Sequence, residues 1–190
     1  MTMMLRDECL KILARHHSGE IVVAVYQAAF EWRAIKPDSL IYLGVGAMGQ
    51  ASSHALGLAL GRPDKRVIVL DGDGSLLMNL GSLVTIAEVA PRNLIHFVCE
   101  NDTYEVNGGH PIPGAGRISF AGFARAAGYR SVHEFGDVGA FSQSIAAVLK
   151  EEGPVFVVLK VIPGEPYPQD FSAVHSAELR RVFRETLAKS

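Results

Sequence analysis

Apolar residues recur along the chain in two alternating rhythms. The spacing of Leu5, Cys9, Ile12 and Leu13 predicts a helix over 5–17. β-Branched runs at 21–25 and 39–43 predict buried strands, and the small-residue segment 51–60 predicts a helix closed by Gly61 and Pro63. A strand at 66–70, a helix at 76–90 stopped by Pro91, and a strand at 94–99 follow. Residues 101–118 lack periodicity and are rich in glycine and proline, which predicts a long loop; in compact domains such loops are usually functional or disordered. The alternation resumes over 120–127, 131–135, 138–150 and 155–161. A polar linker then leads to a last amphipathic helix at about 175–188.

Near-continuous apolar strands separated by helices imply a parallel sheet covered on both faces. The expected fold is α/β: one domain over 1–190, three-layer α/β/α with a mostly parallel central sheet. Ligands of such sheets bind at the carboxyl ends of the strands. Those ends carry Gly44–Gly49, Asp71–Ser75 and Asn101–Thr103.

Composition narrows the classes. A formal net charge of −2, from 18 Lys+Arg against 20 Asp+Glu, gives no electrostatic footprint for nucleic acid or an anionic membrane surface. The apolar runs are too short or too interrupted to span a bilayer. Arg6, Asp7 and Glu8 fall where a signal peptide would be apolar, so a cytoplasmic location is expected. Cys9 and Cys99 make no disulfide framework and read as buried, reduced thiols.

The first glycine loop has two readings. Gly44-Val45-Gly46-Ala47-Met48-Gly49 fits GxGxxG between a strand and a helix, and Asp71 ends the next strand, as in a dinucleotide-binding oxidoreductase. The second loop, Asp71-Gly72-Asp73-Gly74-Ser75, also joins a strand to a helix, so its backbone N–H groups suit an anion. Twenty-six residues separate Gly74 from Asn101 at the next strand's end. Adjacent parallel strands would bring Asp73 and Asn101 together, and a carboxylate with an amide oxygen beside a phosphate suits Mg²⁺.

Gly72-Asp73-Gly74, that spacing and Asn101-Asp102-Thr103-Tyr104 resemble the motif of thiamine diphosphate enzymes. The segments 46–53 and 71–81 are similar to the sulfopyruvate decarboxylase β subunit and to the matching domain of phosphonopyruvate decarboxylase. The resemblance covers residues 15–165. It implies that Asp73 and Asn101 ligate Mg²⁺ through side chains and Thr103 through its carbonyl, and that Gly74 and Ser75, with Gly72, hold the diphosphate. The Gly46 carbonyl would accept from the aminopyrimidine, and Met48, between Gly46 and Gly49, would bend the cofactor into its V shape. The implied activity is decarboxylation of a small 2-oxo acid. Carboligation of the acetolactate synthase kind uses the same loops and stays open, as does a non-catalytic role. The glutamate that activates the aminopyrimidine lies on a separate pyrimidine-binding domain in the family. A partner chain in a hetero-oligomer, expected as a heterotetramer, would supply it, because Glu20, Glu31 and Glu88 read as surface or helix residues.

Several positions depart from the family pattern. The loop after the first strand, Tyr26-Gln27-Ala28-Ala29, lacks the expected glycine. Gln50 stands where phosphonopyruvate decarboxylases tend to have histidine, Glu105 replaces a usual glycine, and His110 a usual glutamine. Gln50 and His110 are substrate-side candidates. Arg117 and Arg125 read as solvated surface.

Overall fold

The structure is a computed structural model and describes residues 3–38, 40–44, 48–164 and 167–190. Its core is a parallel sheet. The central strands, in spatial order, are β3 (Ile41–Leu43), β2 (Ile21–Ala24), β4 (Val67–Gly72), β5 (Leu94–Glu100) and β9 (Val155–Ile162). β8 (Ser131–Phe135) pairs with residues 155–159 of β9, and the short β1 (Met4–Leu5) with residues 161–162. Every pairing in this sheet is parallel.

Alternation along the strands sorts the core onto two faces. Val22, Ala24, Ile68, Leu70, Phe97 and Val157 pack under α1 (Arg6–His16), α2 (Tyr26–Ile35) and α7 (Val138–Val148). Ile21, Val23, Val67, Val69, Val98 and Val158 pack under α3 (Ala51–Gly61), α5 (Ser82–Val89) and α6 (Phe120–Ala127). The result is the expected three-layer α/β/α arrangement. Both thiols are free and buried.

Four elements differ from expectation. Residues 26–29, expected as a loop, open α2, whose Ala28, Ala29, Phe30 and Trp32 are buried. Leu5 belongs to β1 rather than to the first helix, and it is exposed. The helix expected over 76–90 is two helices, α4 (Asp73–Leu77) and α5, joined by a turn whose bonds run three residues back, as from Asn79 N–H to the Leu76 carbonyl. Gly81 is a poor helix former, and the Asn79 side chain donates to the Gly49 carbonyl at 2.8 Å. The long loop contains a small antiparallel ladder of β6 (Thr103–Tyr104) and β7 (His110–Pro111). At the C-terminus, a turn of helix, α8 (Phe171–Val174), precedes α9 (Ala177–Lys189), which starts at a Ser176 cap and packs Phe183 against Tyr42.

Candidate functional site

Register builds the site. Gly72 at the end of β4 lies opposite Cys99 in β5, so Asp73 and Asn101 leave the same edge of the sheet on adjacent strands. Asp73 is 2% exposed. Its Oδ1 accepts from the Gly74 N–H at 2.7 Å, and its Oδ2 accepts from the N–H groups of Asn101 (2.9 Å) and Asp102 (2.6 Å). Asp102 adopts φ +61°, the left-handed region that aspartate tolerates better than most residues. Its carboxylate accepts from Gly116 N–H, pinning the long loop.

Among the described residues no cationic side chain pairs with Asp73. Burial therefore pushes its carboxyl up to about 6, although the N–H donors of Gly74, Asp102 and Asn101 pull the other way.

The Asn101 amide is oriented by its neighbours. Oδ1 accepts from the Thr103 N–H at 3.0 Å and from the Thr103 hydroxyl at 3.2 Å. A backbone N–H only donates, so the atom facing it is oxygen.

The first glycine loop is tied to the second. Gly49, at φ +80°, donates its N–H to Ser75 Oγ at 3.0 Å, and its carbonyl accepts from Asn79. These bonds bring Met48 into one cavity with Gly72, Asp73, Gly74, Ser75, Asn101 and Thr103. A Cβ on Gly74 would lie 2.5 Å from the Tyr104 ring, so only glycine fits. Gln50 and His110 are exposed and do not line this cavity, and Arg117 and Arg125 are exposed as well. Gly46 lies outside the described residues.

A further wall of the cavity includes Tyr26 and Glu105, which the sequence marked as departures from the family pattern, and Arg6, which it did not single out for the site. Arg6 is 5% exposed and lines it. Glu31, read from sequence as a surface or helix residue, is a buried residue of α2. It accepts from Arg6 Nε (2.9 and 3.1 Å) and from Nη2 (2.7 Å). Glu105 accepts from Arg6 Nη1 at 2.5 Å and Nη2 at 3.1 Å, from Asn101 Nδ2 at 3.1 Å, and from Gln27 at 3.4 Å. Burial works against the Arg6 charge, but the two carboxylates outweigh it and hold the guanidinium firmly protonated. One signal was available in sequence: Arg6 stands three, four and seven residues before Cys9, Leu10 and Leu13, on the buried stripe of its helix. Tyr26, which also lines the cavity, takes φ +46°. A bulky residue carries strain there of about 1–2 kcal/mol.

This architecture, with its polar cavity at the carboxyl edge of a parallel sheet, defines a ligand-binding α/β domain. More particularly, the chain belongs to the thiamine pyrophosphate enzyme family as its C-terminal TPP binding domain, whose family model matches residues 19–159. It is 39% identical over 148 residues to a phosphonopyruvate decarboxylase of Streptomyces hygroscopicus, covering 78% of this chain and 36% of that protein. It is 44% identical over 134 residues to the sulfopyruvate decarboxylase subunit beta of Methanothermobacter thermautotrophicus, covering 70% of this chain and 69% of the relative. The chain thus spans about a third of the phosphonopyruvate decarboxylase but most of the β subunit. The fold matches the crystal structure of benzoylformate decarboxylase from Polynucleobacter necessarius, with a TM-score of 0.68 and 21% identity over 86% of this chain and 34% of that one.

The dinucleotide reading of Gly44–Gly49 gives way to this membership. Asp71, its expected ribose ligand, is 1% exposed, with Oδ2 facing His96 Nε2 at 3.3 Å and Oδ1 accepting from Gly72 N–H. No helix among the described residues is long and apolar enough to cross a membrane.

Proposed function

We propose that this chain is the diphosphate- and Mg²⁺-binding subunit of a split thiamine diphosphate-dependent decarboxylase acting on a small 2-oxo acid. Its active site would be completed by a partner chain that carries the pyrimidine-binding domain and the activating glutamate. The observation that carries the reading is Asp73: a carboxylate buried at a strand end and held, among the described residues, by the backbone N–H groups of Gly74, Asn101 and Asp102, beside the Asn101 amide oxygen. A buried charge without a charged partner is costly unless a cation completes it.

The donor set fits Mg²⁺. Asp73, the Asn101 amide oxygen and the Thr103 carbonyl are all hard oxygens. Among the described residues no group of three or more His, Cys, Asp or Glu side chains gathers as for a softer metal. Gly74 and Ser75, at the start of α4, would hold the diphosphate. Met48, held in the cavity by the bonds of Gly49, would support the bent cofactor, together with the Gly46 carbonyl. Held by these residues, thiamine diphosphate would supply the thiazolium electron sink that decarboxylation of a 2-oxo acid needs. The chain's own residues bind and orient it.

A partner is also supported by the relatives named as subunit beta. Native mass spectrometry in Mg²⁺ buffer tests the proposal. A complex with a second chain that retains thiamine diphosphate, and releases CO₂ from sulfopyruvate, phosphonopyruvate or another 2-oxo acid, is the expected result. A homo-oligomer that neither retains nor takes up the cofactor would overturn it. A carboligated product in place of an aldehyde would move the enzyme to the ligase branch.

A further inference from the structure

A carboxamide has two ends of nearly the same shape, and only its oxygen can hold a cation. Two neighbours of Asn101 decide between those ends. On one edge the Thr103 N–H requires an acceptor, and Oδ1 meets it at 3.0 Å. On the other edge the Glu105 carboxylate requires a donor, and Nδ2 meets it at 3.1 Å. A flipped amide would set NH₂ against N–H on one side and oxygen against carboxylate on the other.

Glu105 is itself braced. It sits in a 3₁₀ turn, Glu105–Asn107, at the rim of the cavity. Its side chain is only 22% exposed, and it is fastened to Arg6, which Glu31 anchors from within the α1–α2 layer. The order Glu31–Arg6–Glu105–Asn101 therefore runs unbroken from the protein interior to the cation loop. One carboxylate suffices to neutralise Arg6, and Glu31 provides it. The second carboxylate has a separate use, which is to accept from Asn101.

We propose that Glu105, braced by Arg6, is a positioning residue that fixes the Asn101 carboxamide with its oxygen available to the cation. The inference rests on Asp73, Asn101 and Thr103 being the cation's ligands. Groups that orient a metal ligand through a hydrogen bond typically change metal affinity by about 10–100-fold when removed. Glu105→Ala leaves Arg6 paired with Glu31, so folding is retained. Glu105→Gln keeps a carbonyl acceptor for Asn101 Nδ2.

The test uses the protein purified with its partner and stripped of metal, with Mg²⁺ titrated at fixed thiamine diphosphate and retention measured by equilibrium dialysis. Glu105→Ala should raise the half-saturating Mg²⁺ concentration about tenfold or more. Glu105→Gln should recover most of that shift. Cofactor affinity at saturating Mg²⁺ and the melting temperature of the metal-free protein should stay near wild type. An unchanged Mg²⁺ requirement in Glu105→Ala, where Asp73→Ala still abolishes Mg²⁺-dependent retention, would overturn this inference alone. So would an equal loss of melting temperature and of affinity at every Mg²⁺ concentration, which would mark a merely structural role. Cofactor retention by the wild type without any Mg²⁺ requirement would instead remove the reading of the ligands on which it rests.

Discussion

The backbone N–H of Asn101 donates to Asp73 Oδ2 at 2.9 Å, across 28 positions of sequence. The bond exists because β4 and β5 pair in parallel and end level with one another. It joins two candidate cation ligands. It also leaves the Asp73 carboxylate buried among N–H dipoles, with no cationic side chain beside it among the described residues.

That burial has a pH signature. The folded-state pKa of Asp73, about 6, lies above its usual 3.8. Protonated Asp73 thus favours the metal-free fold, in full below about pH 4, and the contribution is lost as pH rises through about 6. The size is on the order of 3 kcal/mol from about two pKa units. Urea denaturation of metal-free wild type at pH 4 and pH 7, compared with Asp73→Asn, should show an added loss at pH 7 in the wild type only. Mg²⁺ with thiamine diphosphate should restore wild-type stability at pH 7 and leave Asp73→Asn unmoved.

Gly74 has no room for a side chain. An added Cβ would stand 2.5 Å from Tyr104 Cδ1, 2.6 Å from Cε1 and 3.2 Å from Ile112 Cγ2. Gly74→Ala should cost about 1–3 kcal/mol, as overpacking does, and should weaken cofactor retention. The double variant Gly74→Ala/Tyr104→Ala should recover part of the loss, and a double-mutant cycle by thermal melting measures the coupling. Strict additivity would show that the two positions do not touch.

Arg6 holds two carboxylates together. Arg6→Met removes their shared cation and leaves Glu31, itself 3% exposed, as an uncompensated buried charge. The expected cost is about 3–5 kcal/mol. Arg6→Met/Glu31→Leu should regain much of it, because Glu105 sits on a rim turn and can turn to water. Urea midpoints of the three proteins read the effect. A single variant within about 0.5 kcal/mol of wild type, the range of ordinary surface substitutions, would show that the cluster adds nothing to stability.

The two thiols are chemically quiet. Burial pushes the Cys9 thiol up to about 12, with Glu8 and Asp7 adding to it, and burial raises that of Cys99 further. Neither should react with a disulfide reagent at pH 8 until the protein unfolds. An unfolded thiol ionises near 8.5, so the unfolded chain releases protons that the fold retains. Stability should therefore fall as pH climbs past about 8.5. Rapid labelling of either cysteine in the native protein would contradict the buried geometry.

Much of this molecule is legible along the chain. The 3.6 period places α6 to the residue, because it buries the stripe Phe120, Ala121 and Ala124, and β8 also falls where the alternation of elements put it, at 131–135. The Gly72-Asp73-Gly74 turn and its distance to Asn101 locate the site, since one helix between two parallel strands sets where both ends emerge. α2 escapes this reading because it buries five residues in an unbroken run, Ala28, Ala29, Phe30, Glu31 and Trp32, a pattern without a clear amphipathic period. The break at 78–81 escapes it too, since Asn79 leaves the helix for a carbonyl 30 positions away.

By itself, then, the sequence determined the layers, the parallel sheet and the loops at its carboxyl edge, all of which follow from short-range periodicity and spacing. Only the tertiary structure decided that Ser75 holds Gly49, that Arg6 is buried between Glu31 and Glu105, and that Glu105 faces the Asn101 amide. Those pairs lie 26, 25, 99 and 4 residues apart. No local rule encodes such meetings. Three depend on how helices and loops dock over a shared sheet edge. The last depends on how one turn closes within a loop that has no period of its own.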